Sequence, residues 1–195
     1  MKDQSSNPFH RLIDIGIALS AEHNTERLTE RILLEAKEFC NADGGTLYLR
    51  SDDTLKFEIM HTDSLNLALG GTTGKPIDFP PLLMRNPETG EENKKNVATW
   101  AAISGNSVNI LDAYQTGDFD FTGTKTFDRS MGYRSKSFLT VPLKNSQDEV
   151  IGVLQLVNAQ DPVTGEITAF DETIQPLIES LASQAAVALD KQQLL

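Results

Sequence analysis

Between Phe138 and Ala159 two apolar runs flank one polar segment. Phe138 to Leu143 and Val150 to Val157 are rich in Val, Leu and Phe, and Lys144 to Glu149 between them has the composition of a solvated turn, which predicts a β-hairpin. The second run is apolar on both alternating faces except at Gln155, the pattern of a central strand covered on both sides. Helices can cover one side; the other needs more protein or a bound molecule. A polar side chain inside such a run costs roughly 1 to 3 kcal/mol unless it finds partners. The general pairing of buried polar groups points to a satisfied core glutamine, and the alternative places Gln155 in a pocket.

Upstream, Phe9, Leu12, Ile13, Gly16, Ile17 and Leu19 follow helical spacing, as do Leu28, Ile32, Ala36 and Phe39. Two helices are expected before the sheet, the second capped by Asn24 and stopped by Gly44-Gly45. Gly45 to Arg50 and Leu55 to Met60 read as antiparallel strands about the turn Ser51-Asp52-Asp53. From Thr62 to Lys95 glycine and proline dissolve the pattern into loop, with one strand expected within Pro76 to Met84. Gly70 to Pro76 is not a phosphate loop, because Pro76 stands where a magnesium-binding hydroxyl is required.

Asn96 is expected to cap a short helix closed by Gly105, with a strand over Ser107 to Leu111. Thr126 to Gly132 reads as a cap, a short helix and a glycine stop, and Thr168 to Asp171 as a capping box opening the last helix. Pro176 inside that helix predicts an irregular turn near Asp171 to Gln175. The last helix, with Leu181, Ala185, Ala188 and Leu189 beside Leu194-Leu195, carries more apolar surface than one sheet face needs, which predicts a homodimer through the terminal helices.

A chain of 195 residues with 39% hydrophobic content and no Gly/Ser-rich linker suits one domain. Its parts are helices over 1–43, sheet and pocket over 44–158, and a terminal helix over 168–195. No signal peptide or membrane span is legible, and the single Cys40 fits a reducing compartment, so a cytoplasmic protein is expected. The net charge of -11 argues against nucleic acid, though not against a small anion held by a helix amino terminus. His10, His23, His61 and Cys40 have no zinc-ligand spacing, and no nucleophile-base-acid set is legible.

Four segments, Gly44 to Leu49, Ser107 to Tyr114, Met131 to Pro142 and Val150 to Asn158, resemble the signature segments of GAF domains, especially those of cyclic-nucleotide phosphodiesterases, bacterial adenylyl cyclases and HD-GYP phosphohydrolases. The resemblance implies an α+β fold: a central antiparallel six-stranded sheet, terminal helices on one face, and a ligand pocket with short helices and loops on the other. It also implies a regulatory, dimeric, non-enzymatic module that senses a small molecule, with bound cAMP or cGMP leading. Carried over by position, the pocket falls on Thr46, Met60, His61, Val97, Ala98, Asp128, Met131, Ser135 and Gln155. Of the nucleotide-binding subset's supporting motif, Asn158, Asp171 and Glu172 match, while Ala159 and Ile167 replace its lysine and first phenylalanine, so its Lys-Asp salt bridge is missing.

Simpler roles stand beside these. His61 suits a strand end in solvent, Asp128 a favourable charge in a helix's first turn, and Cys40 a small buried apolar residue. The free methionine sulfoxide reductases share this fold but need several cysteines, and a bilin photoreceptor needs one in the pocket. The rival reading is a ligand-free dimerisation and relay domain. A chain ending in helix suits a fragment whose output domain lies further on.

Overall fold

The computed structural model describes residues 7–193. Helix α1 (Pro8–Ala21) is capped by Asn7 and α2 (Thr25–Cys40) by Asn24, whose side chain accepts from the Arg27 N–H. The stop after α2 is Asn41, in the left-handed conformation at φ 51°, not Gly44-Gly45. Those glycines lie inside the first strand, β1 (Ala42–Ser51), because α2 crosses it closely: a Cβ on Gly45 would meet Leu33 Cδ1 at 2.7 Å. Strand β2 (Thr54–Thr62) returns antiparallel. The loop region holds one strand within Pro76 to Met84, as expected, the two-residue β4 (Leu82–Leu83), and before it a further strand, β3 (Leu67–Gly70).

Next come α3 (Val97–Ser104), capped by Asn96 and closed by Gly105, then β5 (Val108–Ile110). Helix α4 (Thr122–Met131) ends at Gly132 as expected. It begins well before Thr126, whose hydroxyl donates to the Thr122 carbonyl inside the helix, so Thr126 is no cap. The hairpin is β6 (Phe138–Lys144) and β7 (Val150–Gln160), followed by β8 (Ile167–Thr168) and α5 (Gln175–Gln193). The capping box fails because Thr168 pairs in β8; Asp171 instead accepts from Thr173 in the irregular turn before α5. Pro176 thus falls in the helix's first turn, where its missing N–H costs nothing.

The sheet runs β3-β2-β1-β7-β6-β5, all antiparallel neighbours, with β4 added to β2 and β8 to β7. Leu47, Leu154 and Val141 face one side with α1, α2 and α5, forming the main core with Leu28, Ile32, Leu181 and Ala185. Leu181, Ala185, Ala188 and Leu189 are spent on that core. On α1 and α5 the exposed large apolar side chains are instead Phe9, Ile13, Ile17 and Val187; Leu194-Leu195 lie outside the described residues. Half-buried Cys40 packs beside this core, and burial pushes its thiol up to about 12. Among the described residues no helix is long and apolar enough to cross a membrane.

On the opposite face Tyr48 and Val153 pack under Ala98, Ala101 and Ala102 of α3, and Phe138 under Val97 and Phe121. The irregular chain from α4 to β6 is held down by Asn158, buried on β7 at φ 60°. Its Oδ1 accepts from the N–H groups of Lys136 and Ser137 at 2.7 and 3.1 Å. Its Nδ2 donates to the Arg134 carbonyl and the Tyr133 hydroxyl, both at 2.8 Å. Asp171 and Glu172 are exposed and take no part in this clamp.

His61 follows Met60 on β2, so the two side chains point to opposite faces. Its ring lies under α2, with Nε2 buried, without a hydrogen-bond partner, and 3.9 Å from Glu30 Oε1. Burial, reinforced by Lys37, holds its pKa below the ordinary histidine value.

Two measurements follow from this packing. Asn158→Ala leaves buried backbone groups unpaired and is expected to lower the unfolding free energy by about 3 kcal/mol in urea titrations. Asn158→Gly restores the backbone freedom but not the bonds, so full recovery in the glycine variant would show that the carboxamide contributes nothing. For His61, the unfolded chain binds more protons between the depressed folded pKa and the unfolded value, so stability rises with pH through that window. Stability is expected to fall as the pH drops through and below the ordinary histidine range, about 6.5, and His61→Asn to flatten part of that slope. Identical slopes in the two proteins would refute the assignment.

Candidate functional site

The face away from the terminal helices carries a cavity of about 300 Å³, the small end of ligand-pocket sizes. Its floor includes Thr46 on β1 and the Gln155 it pairs with on β7; Gln155 in turn pairs with Thr140 on β6, which is fully buried beside the floor. The Thr140 hydroxyl donates to Gln155 Oε1 at 3.2 Å. Gln155 is therefore both a partnered core glutamine and a cavity residue, with its Nε2 hydrogens left over. Met60, Tyr48, Val157 and Phe138 extend the floor on the same strand faces.

The walls come from helix amino ends. Asn96, Val97 and Ala98 open α3, and Gly123, Thr124 and Phe127 lie in the first turns of α4. At such ends the first N–H groups have no intrahelical acceptor. Asn96 satisfies the Thr99 N–H and Asp120 the Thr122 N–H, which leaves those of Val97, Ala98, Gly123 and Thr124 beside the cavity. Phe79, Pro80 and Leu82 form the remaining rim, with the Phe79 ring 5.5 Å from Phe57. Among the described residues no lysine, arginine or histidine lines the space; Asp120, at its edge, is the charged group there.

Of the positions expected from sequence, Thr46, Met60, Val97, Ala98, Ser135 and Gln155 come together around this cavity. Three do not. His61 faces the helices, as strand alternation demands. Asp128 sits in the last turn of α4, not the first, and is buried beneath the cavity wall. Its carboxylate accepts from the Tyr114 hydroxyl at 2.6 Å and from the N–H and hydroxyl of Ser135, both at 2.8 Å, so it holds the wall and has no role in lining it. Met131 ends α4 in solvent. Ser135, having given its proton to Asp128, offers the cavity only lone pairs.

Sequence reading missed the aromatic walls. Tyr48 was available from Thr46 by strand alternation, and Phe121 and Phe127 from their spacing had α4 been started at the right residue. Phe79 lay in a loop without periodicity. Tyr133, also lining the cavity, donates to Asp43 at 2.7 Å and accepts from Asn158; burial and the Asp43 carboxylate keep its phenol protonated.

A family model described as "GAF domain" matches residues 24–189. The dual 3',5'-cyclic-AMP and -GMP phosphodiesterase 11 of Drosophila melanogaster is 30% identical over 178 residues, 89% of this chain. The dual 3',5'-cyclic-AMP and -GMP phosphodiesterase 11A of Takifugu rubripes is 33% identical over 100 residues, 51% of this chain. The matches span only 11% and 10% of those relatives' lengths. The solved GAF domain of a phosphoenolpyruvate-protein phosphotransferase from Coxiella burnetii agrees with a TM-score of 0.70 at 16% identity, covering 98% of each chain, a likeness of fold alone. Matched from α2 through most of α5, the chain belongs to the GAF domain family.

Proposed function

We propose that this domain is a cytoplasmic sensor within a signalling protein, that its cavity takes a small planar anionic ligand, with cAMP or cGMP the leading candidates, and that occupancy is relayed through the terminal helices of a homodimer. What carries this reading is the meeting of two helix amino ends over an aromatic-lined cavity. The free N–H groups of Val97, Ala98, Gly123 and Thr124 supply partial positive charge to a phosphate without a basic side chain, which suits a cavity lined by none. Phe121, Phe127, Phe138 and Met60 offer faces for a flat base.

With Asp128 spent on Tyr114 and Ser135, base N–H donors fall to the lone pairs of Ser135 and Thr46, and base acceptors to Gln155 Nε2. The dual-specificity phosphodiesterases among its relatives support the choice of nucleotide. The domain acts here as regulator, and chemistry belongs to whatever it is joined to. The exposed stripe Phe9, Ile13 and Ile17 favours pairing of terminal helices, which also serves a ligand-free relay domain.

Cyclic AMP or cyclic GMP at a hundredfold excess over its dissociation constant is expected to stabilise the domain by roughly 2.7 kcal/mol, several degrees in a thermal melt, with AMP and GMP as controls. No shift from either cyclic form in folded protein would leave the ligand-free relay. Val97→Pro removes one N–H at a position where Asn96, at ψ 135°, already has the extended backbone that proline requires. It is expected to weaken the nucleotide by about tenfold and spare the phosphate-free nucleoside; equal losses would place the phosphate elsewhere. Sedimentation is expected to show a dimer that Ile13→Glu and Ile17→Glu convert to monomer, and a wild-type monomer at tens of micromolar would exclude the dimer.

A further inference from the structure

The side of α4 away from the cavity carries a cluster that the sensor reading does not use. Tyr114, in the loop after β5, is fixed by its hydroxyl bond to Asp128. The Arg134 guanidinium carbon lies 4.3 Å from the centre of its ring and the Lys125 Nζ lies 5.4 Å from it. Arg129 follows Lys125 by one helical turn on the same side of α4. In a chain of net charge -11, where acids outnumber bases, two cations stand over one aromatic ring and a third lies one helical turn from Lys125.

Their charges are largely unspent. Among the described residues the ion pairs use Arg31, Lys37, Arg50, His61 and Arg85, none of this cluster. Arg129 makes one long contact, 3.4 Å, to the Thr126 hydroxyl. Of the nearby carboxylates, Asp112 accepts from the Tyr114 N–H, and Asp120, which feels Lys125, accepts from Thr122. Arg129 and Arg134 are exposed. The same two segments leave Leu111 and Met131 exposed, so apolar surface accompanies the charge.

We infer that this surface docks an acidic protein segment bearing both carboxylates and apolar side chains. Stacking on Tyr114 fixes the plane of Arg134 while leaving the edges of its guanidinium free for a carboxylate, which lowers the entropy lost on binding. Tyr, Arg and Met are the residue types enriched at protein interfaces. A nucleic acid would need a longer basic track than three side chains and would meet the acidic remainder of the domain. The docked segment would press on the Tyr114–Asp128–Ser135 connection that forms the wall of the cavity.

The test is fluorescence anisotropy with a short labelled peptide of alternating Glu and Leu, against a Lys/Leu peptide of the same length. The wild-type domain is expected to bind the acidic peptide alone, less tightly as salt rises, and Arg134→Glu to weaken it by about tenfold or more. Arg134→Lys keeps the charge but loses the planar fork and is expected to fall between the two. Both variants change an exposed side chain, and circular dichroism checks their fold; were Arg134→Glu unfolded, Arg129→Ala carries the same expectation of weaker binding. Equal binding by wild type and the variants, or no binding of the acidic peptide, would overturn the inference. Displacement by equimolar inorganic phosphate would reduce the surface to a small-anion site, and a loss of self-association in Arg134→Glu would assign it to a second copy of this chain; either result also overturns it.

Discussion

The carboxamide of Asn158 joins the two halves of this molecule. One half is a sheet with three helices packed on it, stabilised by ordinary apolar burial. The other half is largely loop and short helix, and it lies flat because one buried side chain satisfies four groups of residues 133–137 at once. A loop buried against a sheet otherwise leaves its backbone polar groups unpaired, at a cost of about 1 to 3 kcal/mol each. The left-handed backbone at Asn158 turns the side chain toward that loop, a conformation that asparagine tolerates better than most residues.

Further buried polar groups extend the joint. Tyr133 passes from Asn158 to Asp43 at the start of β1, and Asp43 accepts from the N–H and hydroxyl of Ser64. The neighbouring Asp63 accepts from Lys37, buried in α2, at 2.7 Å. A contiguous set of hydrogen bonds and one peptide link thus runs from the cavity wall to the helix layer. Such networks are stiff when every member is paired, and the loss of one partner strands the others.

The cavity exists because the two faces of the sheet are filled differently. Leucine and isoleucine from three helices fill one side to close packing. On the other, α3 contributes Ala98, Ala101 and Ala102, and the larger rings of Phe57, Phe121, Phe127 and Phe138 stand around a gap. Basic side chains are absent from that gap and gather instead around Tyr114 on the far side of α4. The two sides of one helix thus offer an anion different things: backbone dipoles within, and full charges outside.

The sequence by itself determined what depends on near neighbours. Periodicity located the helices and the hairpin, and Asn24, Asn96, Gly105 and Gly132 marked ends because caps and stops act within one turn. The two-faced burial of β7 was legible in its composition, and with it the need for something on the second face. Tertiary structure decided which polar groups remained free. Asp128 looked available until Tyr114 and Ser135 took its oxygens, and Asn158 revealed its clamp only once residues 133–137 lay against it. Gly44-Gly45 read as a helix stop until Leu33 was found packed on Gly45. A side chain's type fixes what bonds it is able to make, but partners distant in sequence consume them, and only the fold brings those partners within reach.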